Sequence, residues 1–384
     1  MKILYCMCSL YNPGGMERVL LNKVRYLREK MGWDVSIVTT DQHGKPTFYP
    51  FPEGVRIIDL GINYTDDNGK NPILKTLEYL RRRRKHRKAL TEVLLQERPD
   101  IVDSLYPSES SFIPSIKDGS RKVLELHFNK FFRLQYGRKG LLGLADRIRT
   151  RLDERIVRRF DRFVVLTEED KGYWGDLPNI KVIPNAAIAA DTGRSDCTAH
   201  RVIAVGRLDY QKGFDRLIEA WNIVKKESDY SDWRLDIFGQ GEWEGMLNDI
   251  INRKGLSNNV MINKPTNNIN EEYSKSSIIV MTSHYEGFGM VLVEAMICGV
   301  PAIAFNCKCG PKDIIDNGRN GLLVPEGDIP GLAEAMKTLM RDYTLRRKMG
   351  NEAQRIREKF SEEKVMGSWI ELFEGLVSER LNRA

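Results

Sequence analysis

The sequence of 384 residues has no run of about 18 apolar residues, so we expect no helix that spans a bilayer. It has no GxxxxGK[ST] segment, so it lacks a phosphate-binding Walker loop. Its cysteines form no CxxC pair and have no histidine cluster beside them, so we expect no metal site. The six cysteines are at positions 6, 8, 197, 298, 307 and 309.

The first residues, MKILYCMCSLYNPGG, also lack the pattern of an export signal. One lysine precedes a short apolar run that ends in a glycine turn, without a long apolar core or a cleavage site of small residues. We therefore expect a first buried strand here. Free thiols together with the missing export signal predict a location in the reducing cytoplasm.

What the sequence does contain is a globular composition with uneven charge. Hydrophobic residues make up 41% and charged residues 29%, and the length suits two domains. Residues 1–190 hold 34 Lys and Arg against 24 Asp and Glu, whereas the remainder holds 26 against 29. The basic half should face something anionic, such as lipid headgroups, nucleic acid or a phosphorylated substrate.

Short apolar runs alternate with amphipathic helical patterns along both halves. KILYCMCS precedes GMERVLLNKVRYLREK, and RVIAVG starts the same scheme again. This alternation predicts an α/β protein with two doubly wound parallel sheets. The division falls in a small, polar segment, which predicts domains at 1–184 and 200–360, a linker at 185–199 and a last helix within 361–384, capped by Ser361.

Two turns after predicted strands are candidates for binding phosphate. Gly14 and Gly15 allow the backbone to approach a ligand ahead of a helix, although an ordinary strand-to-helix turn would look the same. Arg207 and Lys212 lie five residues apart in a turn that opens a helix, which suits a diphosphate. The alternative for this pair is two solvated loop cations.

The segment HYEGFGMVLVEAM, residues 284–296, carries the most specific pattern. An apolar strand delivers Glu286 to the edge of a sheet, and Gly287 and Gly289 allow a sharp entry into a helix that starts near Met290. Amides of the first turn can hold phosphate, while a carboxylate can accept two neighbouring hydroxyl groups. Apolar residues surround Glu294, and an unpaired carboxylate there would be costly, so we predict that it binds a ribose.

Together with His127 at the end of KVLELH, these motifs and GPKDIIDNGRNGLLVPEGD resemble the retaining family 4 glycosyltransferases along essentially the whole chain. The resemblance implies the GT-B architecture, in which two Rossmann-like domains face each other across a cleft and the last helix crosses back to the first domain. It is closest to bacterial enzymes that build surface polysaccharide or lipid-linked oligosaccharide from UDP-sugars.

The resemblance also implies roles for individual residues. Arg207 and Lys212 would hold the diphosphate of the donor, Glu286 would bind the transferred sugar, and His127 would lie against the donor sugar and the acceptor. The implied donor-binding residues are Gly14, Gly15, Gly287, Phe288, Gly289, Met290, Val291 and Glu294. Transfer would retain the anomeric configuration without a protein nucleophile, a cofactor or a metal, because the cations stabilise the departing diphosphate.

One segment departs from the family pattern. Relatives commonly carry Cys-Pro-Thr-Gly-Pro where this chain has CKCGP, Cys307 to Pro311. The difference bears on the preference for a donor sugar more than on the class of reaction.

A basic run lies within TLEYLRRRRKHRKALTEVLL. On a helix, its cations would interrupt the apolar face of Leu77 and Leu80, so we expect the cationic turns to point outward. We expect contact with anionic headgroups or with a lipid-linked pyrophosphate acceptor, and hence a peripheral location on the inner face of the cytoplasmic membrane. The alternative is a solvated charge run. The residues are Arg81, Arg82, Arg83, Arg84, Lys85, Arg87 and Lys88.

Three other interpretations remain open at this point. The run could bind nucleic acid, although it lacks interleaved aromatic residues, so we expect no nucleic-acid partner. The chain could also be a catalytically silent sugar-nucleotide binder or a GT-B sugar-nucleotide epimerase.

Overall fold

The structure is a computed structural model that describes residues 1–67, 72–105, 109–134, 139–188 and 193–382. Within these residues the chain forms two parallel sheets, one of seven strands and one of six. Every strand pair in both sheets is parallel. The predicted pair of doubly wound parallel sheets is confirmed.

The first sheet has the strand order β3-β2-β1-β4-β5-β6-β7. Its direction of growth reverses between β1 and β4, which marks a topological switch point. The strands are β1 (Lys2–Met7), β2 (Asp34–Thr39), β3 (Arg56–Asp59), β4 (Ile101–Ser104), β5 (Arg121–Leu126), β6 (Arg162–Val165) and β7 (Ile180–Val182). The helices among them are α1 (Gly15–Glu29), α2 (Pro72–Glu97), α3 (Gly140–Val157) and α4 (Glu168–Trp174).

The second sheet repeats the scheme in the order β10-β9-β8-β11-β12-β13, with its switch point between β8 and β11. The strands are β8 (Arg201–Val205), β9 (Arg234–Phe238), β10 (Val260–Asn263), β11 (Ile278–Met281), β12 (Ala302–Phe305) and β13 (Gly321–Val324). The helices are α5 (Phe214–Val224), α6 (Glu244–Arg253), α7 (Ile269–Ser274), α8 (Met290–Ile297), α9 (Pro311–Ile314), α10 (Ile329–Arg341), α11 (Tyr343–Ala353) and α12 (Ile356–Phe360).

The central strands are apolar on both faces because helices cover each sheet on both sides. Ile3 pairs with Val35 on one side and with Ile101 on the other, and all three side chains are fully buried. Each sheet therefore has two separate cores, one on each face. This packing explains why the sequence shows continuous apolar runs and no alternation of apolar and polar residues.

The last described helix, α13 (Glu362–Leu381), packs on the first sheet although it follows the second in sequence. Trp369 and Phe373 are buried in the same core as β1, and Arg380 forms an ion pair with Asp100 at 2.7 Å. The side chain of Ser361 accepts a hydrogen bond from the backbone N–H of Lys364, as the predicted N-cap should.

The predicted linker at 185–199 lies partly outside the described residues, which omit 189–192. Its later part packs on the second domain: the hydroxyl of Ser195 donates to the carbonyl of Ser276 at 2.5 Å, and Cys197 is fully buried. Among the described residues, no helix combines the length and the apolar character needed to cross a bilayer.

Candidate active site

The two sheets present the carboxyl ends of their strands to each other, and the predicted site motifs lie at these ends. His127 and Asn129 follow β5 of the first sheet, and the turn at 282–289 follows β11 of the second. The side-chain amide of Asn129 donates to the carbonyl of Glu286 at 3.0 Å and to that of Lys308 at 3.2 Å. The cleft between the domains is therefore closed by hydrogen bonds at this point.

Gly287 allows the closest approach between the two domains. A Cβ atom at this position would lie 2.0 Å from the carbonyl oxygen of His127. Gly289 follows with a φ of +100°, a left-handed conformation that only glycine adopts without strain, and α8 begins at the next residue. The predicted sharp entry into a helix at Met290 is confirmed. The amides of this first turn remain available to a ligand.

Glu286 and Lys212 meet in the second domain, although they are far apart in sequence. The ammonium of Lys212 donates to Oε1 of Glu286 at 2.6 Å, and the hydroxyl of Ser283 donates to the same oxygen at 2.6 Å. Both side chains are largely buried. An ion pair thus joins the turn after β8 to the turn after β11 at the switch point of the second sheet.

Arg207 lies in the same turn as Lys212, but its side chain points into solvent. It is 70% exposed and contacts only neighbours within its own turn, Asp209 at 3.2 Å and Gln211 at 2.8 Å, among the residues that the structure describes. The guanidinium is therefore free to swing toward an anionic ligand in the cleft. Phe288, in contrast, is buried in the core of the second domain.

Glu294 is bound from both domains. Its Oε1 forms an ion pair with Arg18 in the first turn of α1, and its Oε2 accepts a hydrogen bond from the hydroxyl of Tyr273 at 3.4 Å. The carboxylate lies about one helical turn inside α8, beyond the half-buried Met290 and Val291. A ligand that uses both oxygens of Glu294 must displace Arg18 or share the carboxylate with it.

His127 belongs to a buried polar cluster beneath the cleft. Its Nε2 lies 3.1 Å from Oε1 of Glu125, but the ring is turned so that no aligned hydrogen bond forms. The other carboxylate oxygen of Glu125 accepts from Lys23 at 2.6 Å. Burial would raise the pKa of Glu125, but Lys23 and His127 hold it below its usual range. Glu125 is therefore an anion that faces the imidazole.

The predicted Gly14 and Gly15 turn opens α1 on the opposite side of the cleft. Gly14 is the N-cap of the helix, and Gly15 has open space around it. Glu17 in the same turn is buried, and burial raises its pKa. A hydrogen bond from its own backbone amide and, less strongly, the nearby His127 partly offset this effect. The first turn of α1 therefore brings the side chains of Glu17 and Arg18 to the cleft.

Two family models match this chain, one for each domain. The model described as Glycosyltransferase Family 4 matches residues 13–188, and the model described as Glycosyl transferases group 1 matches residues 193–356. The chain belongs to the family 4 glycosyltransferases. The two facing Rossmann-like domains are accordingly the GT-B architecture that the sequence resemblance implied.

Individual relatives of this glycosyltransferase differ in how much of their length it covers. The exopolysaccharide phosphotransferase of Streptomyces coelicolor is 36% identical over 57% of this chain, which spans only 24% of that relative. The amylovoran biosynthesis glycosyltransferase AmsD of Erwinia amylovora is 28% identical over 97% of this chain and 99% of its own. The solved structure of Anabaena HepE in complex with UDP and glucose shares the fold, with a TM-score of 0.74, 19% identity and coverage of 97% and 99%.

The glycosyltransferase brings Lys212, the N-terminus of α8 and two carboxylates together at one end of the second sheet. The turn that carries Lys212 contacts the turn that opens α8, with Glu286 just outside the helix and Glu294 inside it. Among the described residues, no cluster of three or more His, Cys, Asp or Glu side chains could hold a metal ion. The arrangement can bind an anionic ligand that carries hydroxyl groups at both ends.

The basic run of the glycosyltransferase lies on α2 and divides into two groups. Arg82 donates to the carbonyl of Ile62 at 2.9 Å, and Arg83 donates to the hydroxyl of Ser111 at 3.0 Å. For these two side chains the expectation of an outward direction is wrong, because they satisfy polar groups of neighbouring loops. The exposed members are Arg81, Arg84, Lys85, Arg87 and Lys88.

His86, in the middle of this run, is a buried histidine. It is 1% exposed, and its Nδ1 lies 3.2 Å from the hydroxyl of Tyr64. Burial lowers the pKa of His86 to about 4, although the carboxylate of Asp41 acts in the opposite direction. The unfolded chain therefore takes up a proton near pH 6.5 that the folded protein takes up only near pH 4.

We expect the free energy of unfolding to fall as the pH drops from 6.5 to 4, by up to about 3 kcal/mol from this residue. Denaturant unfolding of wild type and His86→Asn at pH 7 and pH 4.5 measures the effect. The variant should lose less stability between the two pH values than the wild type. An equal loss in both proteins would show that other groups carry the pH dependence.

Three residues that contact the predicted site of the glycosyltransferase were missed in the sequence. Asn129 lies two residues after His127 in the same turn, and Ser283 lies three before Glu286, so nearness in sequence could have indicated both. Arg18 carried no such signal, because its partner Glu294 belongs to the other domain.

Proposed function

We propose that the protein is a retaining glycosyltransferase that moves a sugar from a UDP-sugar to a glycan or lipid-linked glycan acceptor in surface polysaccharide biosynthesis. The observation that carries the proposal is the paired Lys212 and Glu286 at the N-terminus of α8, with Glu294 one turn further in. This places a cation and free amides between two carboxylates, as a nucleoside diphosphate sugar requires.

In this proposal the donor lies across the first turn of α8. Its diphosphate accepts hydrogen bonds from the amides of residues 287–291, while Lys212 and the exposed guanidinium of Arg207 neutralise its charge. Glu286 accepts hydroxyl groups of the transferred sugar, and Glu294 accepts those of the ribose. Gly14 and Gly15 approach the diphosphate from the first domain.

The reaction breaks the bond between the anomeric carbon and the diphosphate oxygen and forms a bond from that carbon to the oxygen of an acceptor hydroxyl. The proton of that hydroxyl passes to the departing diphosphate. The departing diphosphate gains negative charge, which Lys212, Arg207 and the amides of α8 stabilise without a metal. His127, next to the anionic Glu125, lies where the donor sugar meets the acceptor. Retention without a protein nucleophile requires that the acceptor attacks on the face from which the diphosphate departs.

The relatives support the proposed donor and pathway. AmsD is an amylovoran biosynthesis glycosyltransferase, and the relative from Streptomyces coelicolor is an exopolysaccharide phosphotransferase. The structure of HepE contains UDP and glucose. The exposed cations of α2 would let the protein dock reversibly on the inner face of the cytoplasmic membrane, where a lipid-linked acceptor resides.

Nucleotide binding to wild type and to Glu294→Ala tests the donor assignment. We expect UDP and UDP-sugars to raise the melting temperature of the wild type more than GDP or ADP do, and this response should vanish in the variant, which has lost its ribose acceptor. Glu271→Ala, at an exposed glutamate of the same domain, is the matched control. It should respond like the wild type.

A Glu294→Ala variant that keeps the full UDP response would contradict the assigned ribose site. If UDP stabilises the wild type but no acceptor ever receives sugar, the chain is a sugar-nucleotide binder. The anomeric configuration of the product, read by NMR, tests retention.

A further inference from the structure

Helix α3 exposes a stripe of large apolar side chains to solvent. Leu144, Ile148 and Leu152 follow one another at intervals of four residues and are 54%, 49% and 45% exposed. Side chains four apart share one face of a helix. The opposite face, with Thr150 and Val157, is buried against the first domain. The stripe is therefore not part of the core.

Arginines accompany this stripe, and the acids of the helix point elsewhere. Arg147, Arg151 and Arg155 also recur at intervals of four, are exposed, and have no carboxylate partner among the described residues. Asp153 is buried and paired with Arg133 of the preceding loop, and Glu154 pairs with Lys130 at 2.6 Å. The exposed surface of α3 is thus apolar and cationic.

The apolar and cationic character of this surface distinguishes between the partners that could bind to it. A second copy of the chain would bring two rows of unpaired arginines together, and the repulsion would oppose association. An anionic bilayer matches both components, because apolar side chains can enter the acyl boundary while arginines reach the phosphates of the headgroups. Such helices lie in the plane of the interface and do not span it.

The helix is also linked to the cleft. The two ion pairs of Lys130 and Arg133 fasten the loop after His127 to α3. Phe128 in this loop is 39% exposed and stacks on Phe132 with ring centroids 5.4 Å apart. A bilayer in contact with α3 would therefore lie beside the loop that follows His127.

The basic run of α2 borders the same surface. Arg83 of α2 donates to the hydroxyl of Ser111, and Arg159, just after α3, donates to the carbonyl of Ser111 at 3.3 Å. Side chains from both helices also pack in one core on the same face of the first sheet. The two helices are therefore neighbours on one face of the first sheet.

We propose that α3 is an interfacial anchor, which inserts Leu144, Ile148 and Leu152 into an anionic leaflet and sets its arginines on the phosphates. The proposal rests on the proposed function only in taking a membrane-bound acceptor as the reason for docking. In this proposal α3 inserts into the membrane, whereas α2 contributes to membrane binding only through its charge.

Sedimentation with phosphatidylglycerol-containing vesicles tests it, with no donor or acceptor present. We expect the triple variant Leu144→Ser, Ile148→Ser, Leu152→Ser to lose binding at high salt, where only insertion persists. Arg147→Gln, Arg151→Gln, Arg155→Gln should bind about 100-fold more weakly at low salt, since each of the three cations near an anionic leaflet contributes about fivefold. Met261→Ser, at an exposed apolar residue of the second domain, is the control.

A triple serine variant that sediments like the wild type would overturn the proposal, as would an α3-dependent dimer or capture of an acidic protein without vesicle binding. Circular dichroism checks the fold of each variant. A second measurement avoids destabilising changes: a polarity-sensitive dye on Ile148→Cys should shift to the blue when vesicles are added. The native cysteines are buried except for the half-buried Cys8, so labelling is selective. Vesicle binding without any sugar transfer would count against the proposed function alone.

Discussion

Replacing Gly287 with alanine should reduce kcat/KM for sugar transfer by about 100-fold. The new methyl group would lie 2.0 Å from the carbonyl oxygen of His127 and 2.9 Å from its carbon, and neither backbone atom can move aside cheaply. The two domains must therefore separate at the point where donor and acceptor meet. A displacement of about 1 Å at a reacting centre can cost this factor. UDP release in the presence of acceptor measures the effect.

Gly245→Ala is the matched control, because a Cβ atom at this position in α6 meets nothing within 4 Å. It should keep full activity and gain up to about 1 kcal/mol of stability, as alanine does in a helix. Gly287→Ala should retain the melting temperature of the wild type to within a few degrees, since each domain still folds. Wild-type turnover in Gly287→Ala would mean that the contact with His127 is not needed for transfer.

Replacing Lys212 with methionine should lower kcat by about 10²–10³-fold, the range found when one preorganised electrostatic donor is removed. Methionine keeps the length of the side chain but removes the charge that would stabilise the departing diphosphate. The change also leaves the buried carboxylate of Glu286 with the hydroxyl of Ser283 and without its cation. We therefore expect a loss of stability as well, because an unpaired buried charge is costly.

The two effects can be separated. Lys212→Met combined with Glu286→Gln removes the unpaired charge, so stability should recover while transfer stays low. Lys264→Met, at an exposed lysine that pairs with Glu244, is the control and should change neither. A Lys212→Met enzyme with normal kcat and weaker donor binding would assign Lys212 to binding alone.

The central strands could be predicted from the sequence because helices cover both of their faces, which makes each of them a short apolar run. The turn at Glu286 and the start of α8 could also be predicted, since two closely spaced glycines, Gly287 and Gly289, directly after a strand indicate a turn. In these places the local chemistry allows one conformation, and no distant partner is needed to fix it.

Contacts between the domains could not be predicted in this way. Arg18 looks like an ordinary helical arginine, and its pairing with Glu294 depends on how the two sheets face each other. The prediction that all cations of the basic run on α2 point outward was wrong for a related reason. Arg82 and Arg83 turn inward because Ile62 and Ser111, on distant loops, offer them acceptors. Charge alone indicated an exposed face, whereas the fold distributed the cations over both sides.

Because α13 packs on the first sheet, the two domains are completed in a fixed order during synthesis at the ribosome. The apolar face of β1 is made early, but the side chains that cover it, Trp369 and Phe373, emerge only after the whole second sheet. The core that Trp369 and Phe373 cover therefore stays partly exposed in the first domain while the second domain folds. The domain that is translated first is the one that is completed last.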